Sequence, residues 1–400
     1  MRYEDYIQLD YSPSKNDVIV EFLVEPSKNA GAVAAESSIG TWTEVKTFKR
    51  NLKKLAAKVF EVRGNKVKIA YPSELFEPGN MSQILSSIAG NIFGMKAVKN
   101  LRLEDVHFPK KLERSFPGPR FGISGVRRLL KVRGRPLLGS IIKPKLGLGP
   151  KEHAEVAYET WLGGCDIIKD DENLTDQRFN PFEERVVRTL EARDKAEEET
   201  GERKVYMPNV TAPFEEMIRR IEFVKEHGGR YVMIDVITSG FSALQSVRDM
   251  DFGLVIHAHR AMHAAFTRNK KHGMSMLALA KCLRLVGVDQ LHVGTGVGKM
   301  EGEKEEVKEI AEALREKKVV KPVFPVASGG LHPGLVPSLM KIFGKDVIIQ
   351  AGGGIHGHPK GSLSGARAMR QAIEAVMKGI SLKKYAKAHQ ELGEALNYFP

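Results

Sequence analysis

Short apolar runs alternate with longer amphipathic segments along the chain from about residue 134 onward. Eight of these runs have the character of buried strands, and they begin near Leu137, Asp166, Lys204, Tyr231, Gly253, Gln290, Val323 and Asp346. The segments between them, such as residues 151–162 and 214–226, place apolar side chains at helical spacing. Strands that alternate with helices are typical of parallel sheets with right-handed crossovers, so the pattern predicts an α/β fold, a (β/α)8 TIM barrel.

Residues before about position 120 follow a different pattern, in which strands and helices do not alternate regularly. The predicted elements are strands at 17–24 and 67–71 and helices at 51–58 and 81–88. We therefore expect a smaller α+β N-terminal domain in front of the barrel. The basic, proline-bearing stretch 108–119 is the predicted linker, which gives domains at residues 1–120 and 121–400.

The sequence Lys169-Asp170-Asp171-Glu172-Asn173 follows the second predicted barrel strand and places an amine beside three carboxylates. Because side chains on a strand alternate between faces, Lys169 and Asp171 are expected to share one face. Glu172 can join them where the strand gives way to a loop. Carboxylate oxygens suit a hard cation such as Mg2+, and a lysine that has captured CO2 as a carbamate would add another anionic oxygen. The alternative is a solvated acidic loop.

Two further strand ends carry groups suited to proton transfer and anion binding. Lys143 and Lys145 close the first barrel strand on either side of a proline, which fixes the backbone so that both amines can aim at one point. The fifth strand ends in two same-face histidines, His257 and His259, followed by Arg260. Histidine suits proton transfer, and arginine suits phosphate binding. Taken singly, solvated lysines and a structural histidine are the commoner interpretations.

Glycines follow the last three strands. A loop at residues 296–302 has glycine at both ends, so it could move and carry Lys299 to a bound anion. The last two strands end in glycine pairs whose backbone amides could cradle a phosphate. Such pairs also occur in ordinary turns, but their place on the last two strands matches the usual phosphate site of a barrel. These glycines are Gly329, Gly330, Gly352, Gly353 and Gly354.

The chain carries 62 lysines and arginines against 49 aspartates and glutamates, a formal net charge of +13. Because the basic residues are dispersed among acidic ones, no nucleic-acid partner is expected, and an anionic substrate is the simpler account. We find no signal peptide and no apolar run long enough to span a membrane, so no membrane partner is expected. Cys165 and Cys282 are predicted to be buried free thiols in a reducing cytoplasm.

Taken together, these residues resemble the large subunit of ribulose-1,5-bisphosphate carboxylase/oxygenase, RuBisCO, over nearly the whole chain. The motifs that carry the resemblance are AESSIGTWT (35–43), GNIFG (90–94), KPK (143–145), KDDEN (169–173), HRAMH (259–263), GK (298–299), SGG (328–330) and GGG (352–354). Their order is that of the family. Residues 88–96, 263–269 and 329–334 look most like the archaeal branch, form III.

The resemblance implies a metal site and a reaction. Lys169 would be carbamylated by CO2 and would bind Mg2+ together with Asp171 and Glu172. The same carbamate would act as base toward C3 of ribulose-1,5-bisphosphate, and the metal would stabilise the enediolate that forms. Addition of CO2 would give two molecules of 3-phosphoglycerate, and O2 would compete with it. As in archaeal relatives, the pathway implied is salvage of nucleoside monophosphates.

The resemblance also assigns the remaining side chains. His259 would assist proton transfer at the C3 oxygen and hydration. Lys143, tuned by Lys145, would manage protons at C2, and Lys299 would stabilise charge developing on the incoming carboxylate. The other barrel residues would bind the substrate through its two phosphates and its hydroxyls. They are Arg260, His292, Ser328, Gly329, Gly330, Gln350, Gly352 and Gly353.

Four residues of the N-terminal domain belong to the same constellation: Glu36, Thr41, Trp42 and Asn91. In the family, such residues complete the barrel site of a neighbouring subunit. The resemblance therefore implies a homodimer or a higher assembly of dimers with shared active sites, in which Glu36 and Asn91 are catalytic and Thr41 and Trp42 bind a phosphate. An isolated subunit should be nearly inactive.

The sequence departs from the family at two places and leaves two alternatives open. Ile141 stands where many members carry a threonine that bonds to substrate, and Ile355-His356 replaces a common Thr-Leu pair near the phosphate site. One alternative is a RuBisCO-like enolase or isomerase of another sugar phosphate, against which the retained Lys143 and Lys299 argue. The other is a non-catalytic basic binding protein.

Overall fold

The computed structural model of the protein describes residues 1–297 and 304–400. Its residues group into two compact units. The first contains Met1–Gly118, Met262–Val286 and Lys318–Val320, and the second contains Pro119–Ala261, Gly287–Lys317 and Lys321–Pro400. Two segments that follow the predicted domain boundary thus group with the N-terminal unit.

The strands and helices of the described residues are numbered in chain order. The strands are β1 Asp17–Glu25, β2 Lys58–Arg63, β3 Lys66–Pro72, β4 Asn100–His107, β5 Leu137–Ile141, β6 Ile167–Lys169, β7 Val205–Met207, β8 Tyr231–Asp235, β9 Val255–His259, β10 Gly273–Met274, β11 Gln290–His292, β12 Phe324–Ser328 and β13 Ile348–Ala351. The helices are α1 Ala30–Glu36, α2 Met81–Ile88, α3 Lys110–Glu113, α4 Gly122–Leu130, α5 Pro150–Leu162, α6 Phe182–Thr200, α7 Phe214–Glu226, α8 Val236–Ser239, α9 Phe241–Met250, α10 Ala264–Thr267, α11 Met276–Val286, α12 Lys304–Arg315, α13 Val336–Phe343, α14 Gly353–His356, α15 Gly361–Met377, α16 Leu382–Tyr385 and α17 Gln390–Tyr398.

The first unit is built on a mixed sheet with the strand order β10-β4-β1-β3-β2. Its central strand β1 pairs antiparallel with β3 and β4, and the short β10 adds in parallel to β4. Alternate side chains of β1, such as Val18, Val20 and Phe22, are buried, as expected of a strand whose side chains alternate between faces. The unit thus has the predicted α+β character.

One predicted element of the first unit is wrong. Residues 51–58 do not form an α-helix, because Arg50–Leu55 is a 3-10 helix and β2 begins at Lys58. Of the predicted helix only the last residue, Lys58, joins β2, which pairs antiparallel with β3. The predicted helix at 81–88 and the strands at 17–24 and 67–71 are confirmed within one residue at each end.

The second unit is the predicted barrel. Its parallel sheet has the order β7-β6-β5-β13-β12-β11-β9-β8. β7 and β8 meet through hydrogen bonds from Met233 N to Pro208 O at 2.9 Å and from Val210 N to Met233 O at 3.0 Å, which close the sheet. Each strand begins within two residues of its predicted start. The fold is therefore an α/β (β/α)8 barrel preceded by a smaller α+β unit.

An apolar cluster lies at the N-terminal ends of the barrel strands, where Val126 and Leu130 of α4 pack with Leu137, Ile167 and Phe324. Buried charged groups occur at both ends of the strands. Asp166, Lys204 and Asp289 precede strands, whereas Lys169, Asp170 and Asp171 lie at the C-terminal ends, where barrel enzymes carry their active sites. Among the described residues, no helix combines the length and the apolarity that crossing a bilayer would require.

Candidate active site

Lys169 lies at the C-terminal end of β6 and is almost fully buried, with 1% of its surface exposed. Its Nζ donates a hydrogen bond to Asp170 O at 2.7 Å and lies 3.8 Å from Glu172 Oε2. Burial lowers the pKa of Lys169, and the neighbouring carboxylates oppose this shift only in part. Burial thus makes the neutral amine, which is the form that can attack CO2, easier to reach than in an exposed lysine.

Asp171 lies next to Lys169 on the inner side of the barrel. Lys143 Nζ donates to its Oδ2 at 2.7 Å, and Asn173 donates to its Oδ1 from the backbone at 3.2 Å and from the side chain at 3.1 Å. Burial raises the pKa of Asp171, but the contacts with Lys143 and Asn173 leave it below the ordinary value. Asp171 is therefore a carboxylate. Its Oδ1 already accepts two hydrogen bonds, whereas its Oδ2 accepts one, from Lys143, and keeps a lone pair for a cation.

Asp170 faces the other way, as the alternation of strand side chains predicted. Its carboxylate accepts hydrogen bonds from Arg185 Nε at 3.2 Å, Tyr206 Oη at 2.6 Å and Asn209 N at 3.0 Å. Burial raises the pKa of Asp170, but Arg185 and the hydrogen bonds hold it far below its usual range. This buried network fixes the backbone between Lys169 and Asp171, so both side chains are held at the barrel mouth.

Replacing Asp170 tests this anchoring. Asp170→Asn leaves the buried Arg185 without its counter-charge and should lower the free energy of unfolding by about 3 kcal/mol at pH 7. Because the folded pKa lies below the unfolded value of 3.8, the carboxylate stabilises the fold above that pH, and the stabilisation is lost as pH falls below it. The variant should lack this loss between pH 5 and pH 3, measured by urea unfolding. Equal dependence of the free energy of unfolding on pH in both proteins would contradict the assigned role of Asp170.

The control is Glu184→Gln, at the exposed ion pair with Arg188. It should lower the free energy of unfolding by about 0.5 kcal/mol or less.

His259 ends β9 and lies between two carboxylates. Its Nε2 is 3.6 Å from Glu172 Oε2, and its Nδ1 is 3.3 Å from Asp235 Oδ1. The backbone N–H of Ala261 also approaches Nδ1, at 3.2 Å. Negative charge at both ring nitrogens suits a group that takes up and returns a proton during a reaction.

A chain of neutral groups lines the wall behind His259. His257 Nδ1 lies 2.8 Å from Gln290 Oε1, and its Nε2 lies 2.9 Å from His292 Nε2. His292 Nδ1 in turn lies 2.8 Å from Ser328 Oγ. Burial lowers the pKa of His257 to about 3 and that of His292 well below its ordinary value, helped by neighbouring cations. Both rings are therefore neutral at pH 7, and Ser328 is the member of the chain nearest the surface.

Two features of the barrel mouth suit phosphate groups. The guanidinium of Arg260 forms no hydrogen bond or ion pair within residues 1–297 and 304–400, and burial lowers its pKa only to about 10, so it stays cationic at pH 7. After β12, Gly329 and Gly330 have φ of 118° and 66°, which favours glycine. After β13, a Cβ on Gly352 would lie 3.1 Å from Lys143 Cε, so this turn packs directly on the lysine.

The remaining predicted residues of the barrel are placed as follows. Lys145 is exposed in the loop after β5, and Gly353 is exposed after β13. Gln350 is fully buried on β13, and its amide oxygen and nitrogen both lack a hydrogen-bond partner among the described residues. Lys299 lies outside the described residues. The roles of Lys145 and Lys299 stay predictions.

The four predicted residues of the first unit lie at or near its surface. Glu36 ends α1 and accepts a hydrogen bond from Tyr3 Oη at 2.8 Å. Trp42 is 81% exposed, Thr41 is half-buried, and Asn91 is exposed at the start of the 3-10 helix Asn91–Gly94. A large aromatic side chain that projects into solvent within one chain is typical of a contact surface.

Ile141 and His356, at the two departures from the family pattern, have different neighbours. Ile141 ends β5 and is half-buried. His356 Nε2 lies 3.0 Å from Ser140 Oγ, and its Nδ1 lies 3.0 Å from Ser362 Oγ. Burial lowers the pKa of His356 to about 4, so it is a neutral group that ties β5 to α15 beneath the glycine turn.

Three contributors to the site were not singled out from the sequence. Asp235 ends β8 after four buried residues, and a search for carboxylates at every strand end would have found it. Gln290 is a polar residue at the start of an otherwise apolar strand, which is a weaker signal. Arg185 could not have been found, because its link to Asp170 spans a loop and a helix start. Both cysteines are buried and free, as predicted.

Comparison with known proteins identifies the family of the chain. Residues 5–112 match the family model described as ribulose bisphosphate carboxylase large chain, N-terminal domain, and residues 122–399 match the model of its catalytic domain. A protein of Methanocaldococcus jannaschii named ribulose bisphosphate carboxylase is 55% identical over 99% of this chain and 100% of its own length. A protein of the same name from Pyrococcus abyssi is 52% identical over 99% of this chain and 96% of its own.

Solved structures agree equally well. An octameric RuBisCO of Pyrococcus horikoshii, in complex with sulfate, superposes with a TM-score of 0.97 at 51% identity and covers 100% of this chain and 97% of that one. A dimeric archaeal RuBisCO of Hyperthermus butylicus gives a TM-score of 0.93 at 47% identity over 99% of this chain and 98% of that one. The chain therefore belongs to the ribulose bisphosphate carboxylase large-chain family, in its archaeal, form III branch.

Proposed function

We propose that the protein catalyses the Mg2+-dependent carboxylation, and with O2 the oxygenation, of ribulose-1,5-bisphosphate. The observation that carries the proposal is the buried Lys169, whose pKa is lowered by burial and whose amine lies 3.8 Å from Glu172. Asp171 stands beside it in contact with Lys143. A buried lysine with a lowered pKa, set among carboxylates, suits capture of CO2 as a carbamate.

The residues present fit Mg2+. Carboxylate oxygens are the ligands that this ion prefers, and Asp171 and Glu172 provide them, while Lys169 would add an oxygen once carbamylated. The sulfur of Met233, 3.4 Å from Lys169 Nζ, is not a ligand for a hard cation and keeps the amine away from water. When bound, Mg2+ would supply Lewis-acid stabilisation of negative charge on substrate oxygens.

Two side chains next to the proposed metal site, Lys143 and His259, would transfer protons. Lys143 lies between Asp171 and the turn at Gly352, where its ammonium can deliver a proton to a carbanion at C2. His259, between Glu172 and Asp235, can accept a proton from the C3 hydroxyl and return it. Lys145 is assigned to tuning of Lys143.

The remaining polar groups at the barrel mouth would bind the two phosphates and the hydroxyl groups of the substrate. The guanidinium of Arg260, which forms no hydrogen bond or ion pair among the described residues, would bind one phosphate, since arginine donates bidentate hydrogen bonds to such groups. His292 would flank this phosphate with its ring, because His257 and Ser328 already engage both of its nitrogens. The backbone amides of the glycine pairs would bind the other. Ser328 and Gln350 would contact hydroxyl groups of the chain between the phosphates. The excess of cationic residues in the sequence fits an anionic substrate.

The assembly and the cellular setting form part of the proposal. Glu36, Thr41, Trp42 and Asn91 would act on the barrel of a neighbouring copy, in a homodimer or an assembly of dimers. Dimeric and octameric relatives support this arrangement. We place the reaction in salvage of nucleoside monophosphates and in a reducing cytoplasm, which suits two free thiols.

Lys299→Ala should separate enolisation from carboxylation. In the wild type, Mg2+ and CO2 should support both exchange of the C3 proton of ribulose-1,5-bisphosphate with solvent and fixation of CO2. Because Lys299 is assigned to charge that develops only on the incoming carboxylate, the variant should keep proton exchange within about ten-fold and lose carboxylation by about a thousand-fold. Deuterium incorporation and product formation measure the two steps.

The control is Lys304→Ala at the exposed start of α12, which should leave both steps unchanged. Equal loss of exchange and carboxylation in Lys299→Ala would move Lys299 to the enolisation step. Absence of exchange in the wild type would contradict the proposed function itself.

A further inference from the structure

A linear hydrogen-bonded chain runs from the interior of the barrel to its mouth and contains two residues that the reaction does not itself require. It links Gln290, His257, His292 and Ser328 with successive distances of 2.8, 2.9 and 2.8 Å. Gln290, His257 and His292 are buried, whereas Ser328 is half-buried. Every link therefore lies where an unsatisfied donor or acceptor would be costly.

The interior end of the chain sets its direction. The oxygen of the Gln290 amide faces His257 Nδ1, and an amide oxygen only accepts, so His257 carries its proton on Nδ1. His257 Nε2 is then an acceptor, and His292 must donate from Nε2. His292 Nδ1 is left to accept, so the donor to it is the hydroxyl of Ser328. A neutral imidazole has one donor and one acceptor, which suits the low pKa of both rings.

This direction determines how the Ser328 hydroxyl can bind a ligand. A hydroxyl whose proton is committed to His292 presents only lone pairs to the barrel mouth. It can accept a hydrogen bond from an alcohol, and it cannot donate one to a carbonyl or a phosphate oxygen without breaking the chain. Gln290, which is linked to Ser328 through two histidines, therefore sets the preference of Ser328 for a hydrogen-bond donor.

We propose that Gln290 is a positioning residue that, through His257 and His292, commits the hydroxyl proton of Ser328 and so makes Ser328 Oγ an acceptor for a hydroxyl group of the bound sugar bisphosphate. The identity of the ligand rests on the proposed function. The direction of the hydrogen-bonded chain does not, because it follows from the orientation of the Gln290 amide toward His257 and from the donors of the protein itself.

The direction is tested by NMR of the wild type labelled with 15N in histidine, with signals assigned from His257→Asn and His292→Asn. Long-range 1H–15N correlations distinguish the two neutral tautomers. We expect His257 protonated on Nδ1 and His292 protonated on Nε2 at pH 7. The opposite tautomers, or an imidazolium at either position, would overturn the proposal, whether or not the protein turns over ribulose-1,5-bisphosphate.

Two variants test the effect on the ligand. Gln290→Met keeps the length of the side chain but removes the acceptor, so the histidine tautomers should no longer be fixed and KM for ribulose-1,5-bisphosphate should rise about ten-fold with a smaller change in kcat. Gln290→Glu keeps an acceptor oxygen in the same place, so His257 should stay protonated on Nδ1 and KM should rise less than in Gln290→Met. Wild-type tautomers and a wild-type KM in Gln290→Met would show that the hydrogen-bonded chain has a structural role only. If the wild type and both variants fail to use ribulose-1,5-bisphosphate but show the expected tautomers, the proposed function is contradicted. The direction of the hydrogen-bonded chain would still stand.

Discussion

Lys169→Arg will keep a cation at the end of β6 and still abolish carboxylase activity, by at least about a thousand-fold. The guanidinium stays protonated at any pH at which the protein is folded, so it cannot form a carbamate. The wild type should be activated by pre-incubation with CO2 and Mg2+, and the variant should not respond. Activity is measured as substrate-dependent CO2 fixation before and after pre-incubation.

Lys204→Arg is a matched control for this substitution. Lys204 is also fully buried in the barrel unit, but it lies at the start of β7, where it donates to Cys165 O and Glu202 Oε2, each at 2.9 Å. Its replacement should lower thermal stability without changing kcat per folded molecule. An active Lys169→Arg protein, or a wild type indifferent to CO2 pre-incubation, would show that the carbamate is wrongly assigned.

Two inactive variants should restore activity when they are combined. Asn91→Ala and Lys169→Ala should each be inactive as homodimers, because every site then lacks one essential group. If each site takes Asn91 from one chain and Lys169 from the other, a mixed dimer contains one site with both defects and one with neither. Co-refolding equal amounts should therefore recover about one quarter of wild-type activity for random two-fold pairing.

The content of mixed dimers is checked by native mass spectrometry with a mass tag on one variant. A sample that contains mixed dimers and shows no recovered activity would mean that each site is built within one chain. The same experiment with Lys204→Arg in place of Asn91→Ala is the control, since the Lys204→Arg chain should already be active by itself.

The barrel and the core of its site could be predicted from sequence because both depend on local periodicity. The strand starts follow from apolar runs, and the opposed directions of Lys169 and Asp170 follow from the two-residue repeat of a strand. Because the C-terminal ends of parallel strands meet at one end of a barrel, residues far apart in sequence, such as Lys143 and Asp171, were expected together and are 2.7 Å apart.

What could not be predicted depends on long-range pairing. β10 forms because Gly273 and Met274 pair with Arg102 and Leu103 of β4, and nothing near residue 273 signals that partner. The helix predicted at 51–58 ends early as the 3-10 helix Arg50–Leu55, and its last residue, Lys58, pairs with Ala70 of β3. Asp235 is a further example, because its neighbour His259, 3.3 Å away, lies on the next strand, 24 positions later in the sequence.

Fixation of CO2 on ribulose-1,5-bisphosphate by this chain can be measured in one labelling experiment. Purified protein is activated with Mg2+ and labelled bicarbonate, supplied with ribulose-1,5-bisphosphate under anaerobic conditions at ambient and at elevated temperature, and quenched with acid. We predict labelled 3-phosphoglycerate, with two molecules of 3-phosphoglycerate formed per CO2 fixed and none formed without Mg2+. Consumption of the substrate without any labelled acid at either temperature would contradict the account.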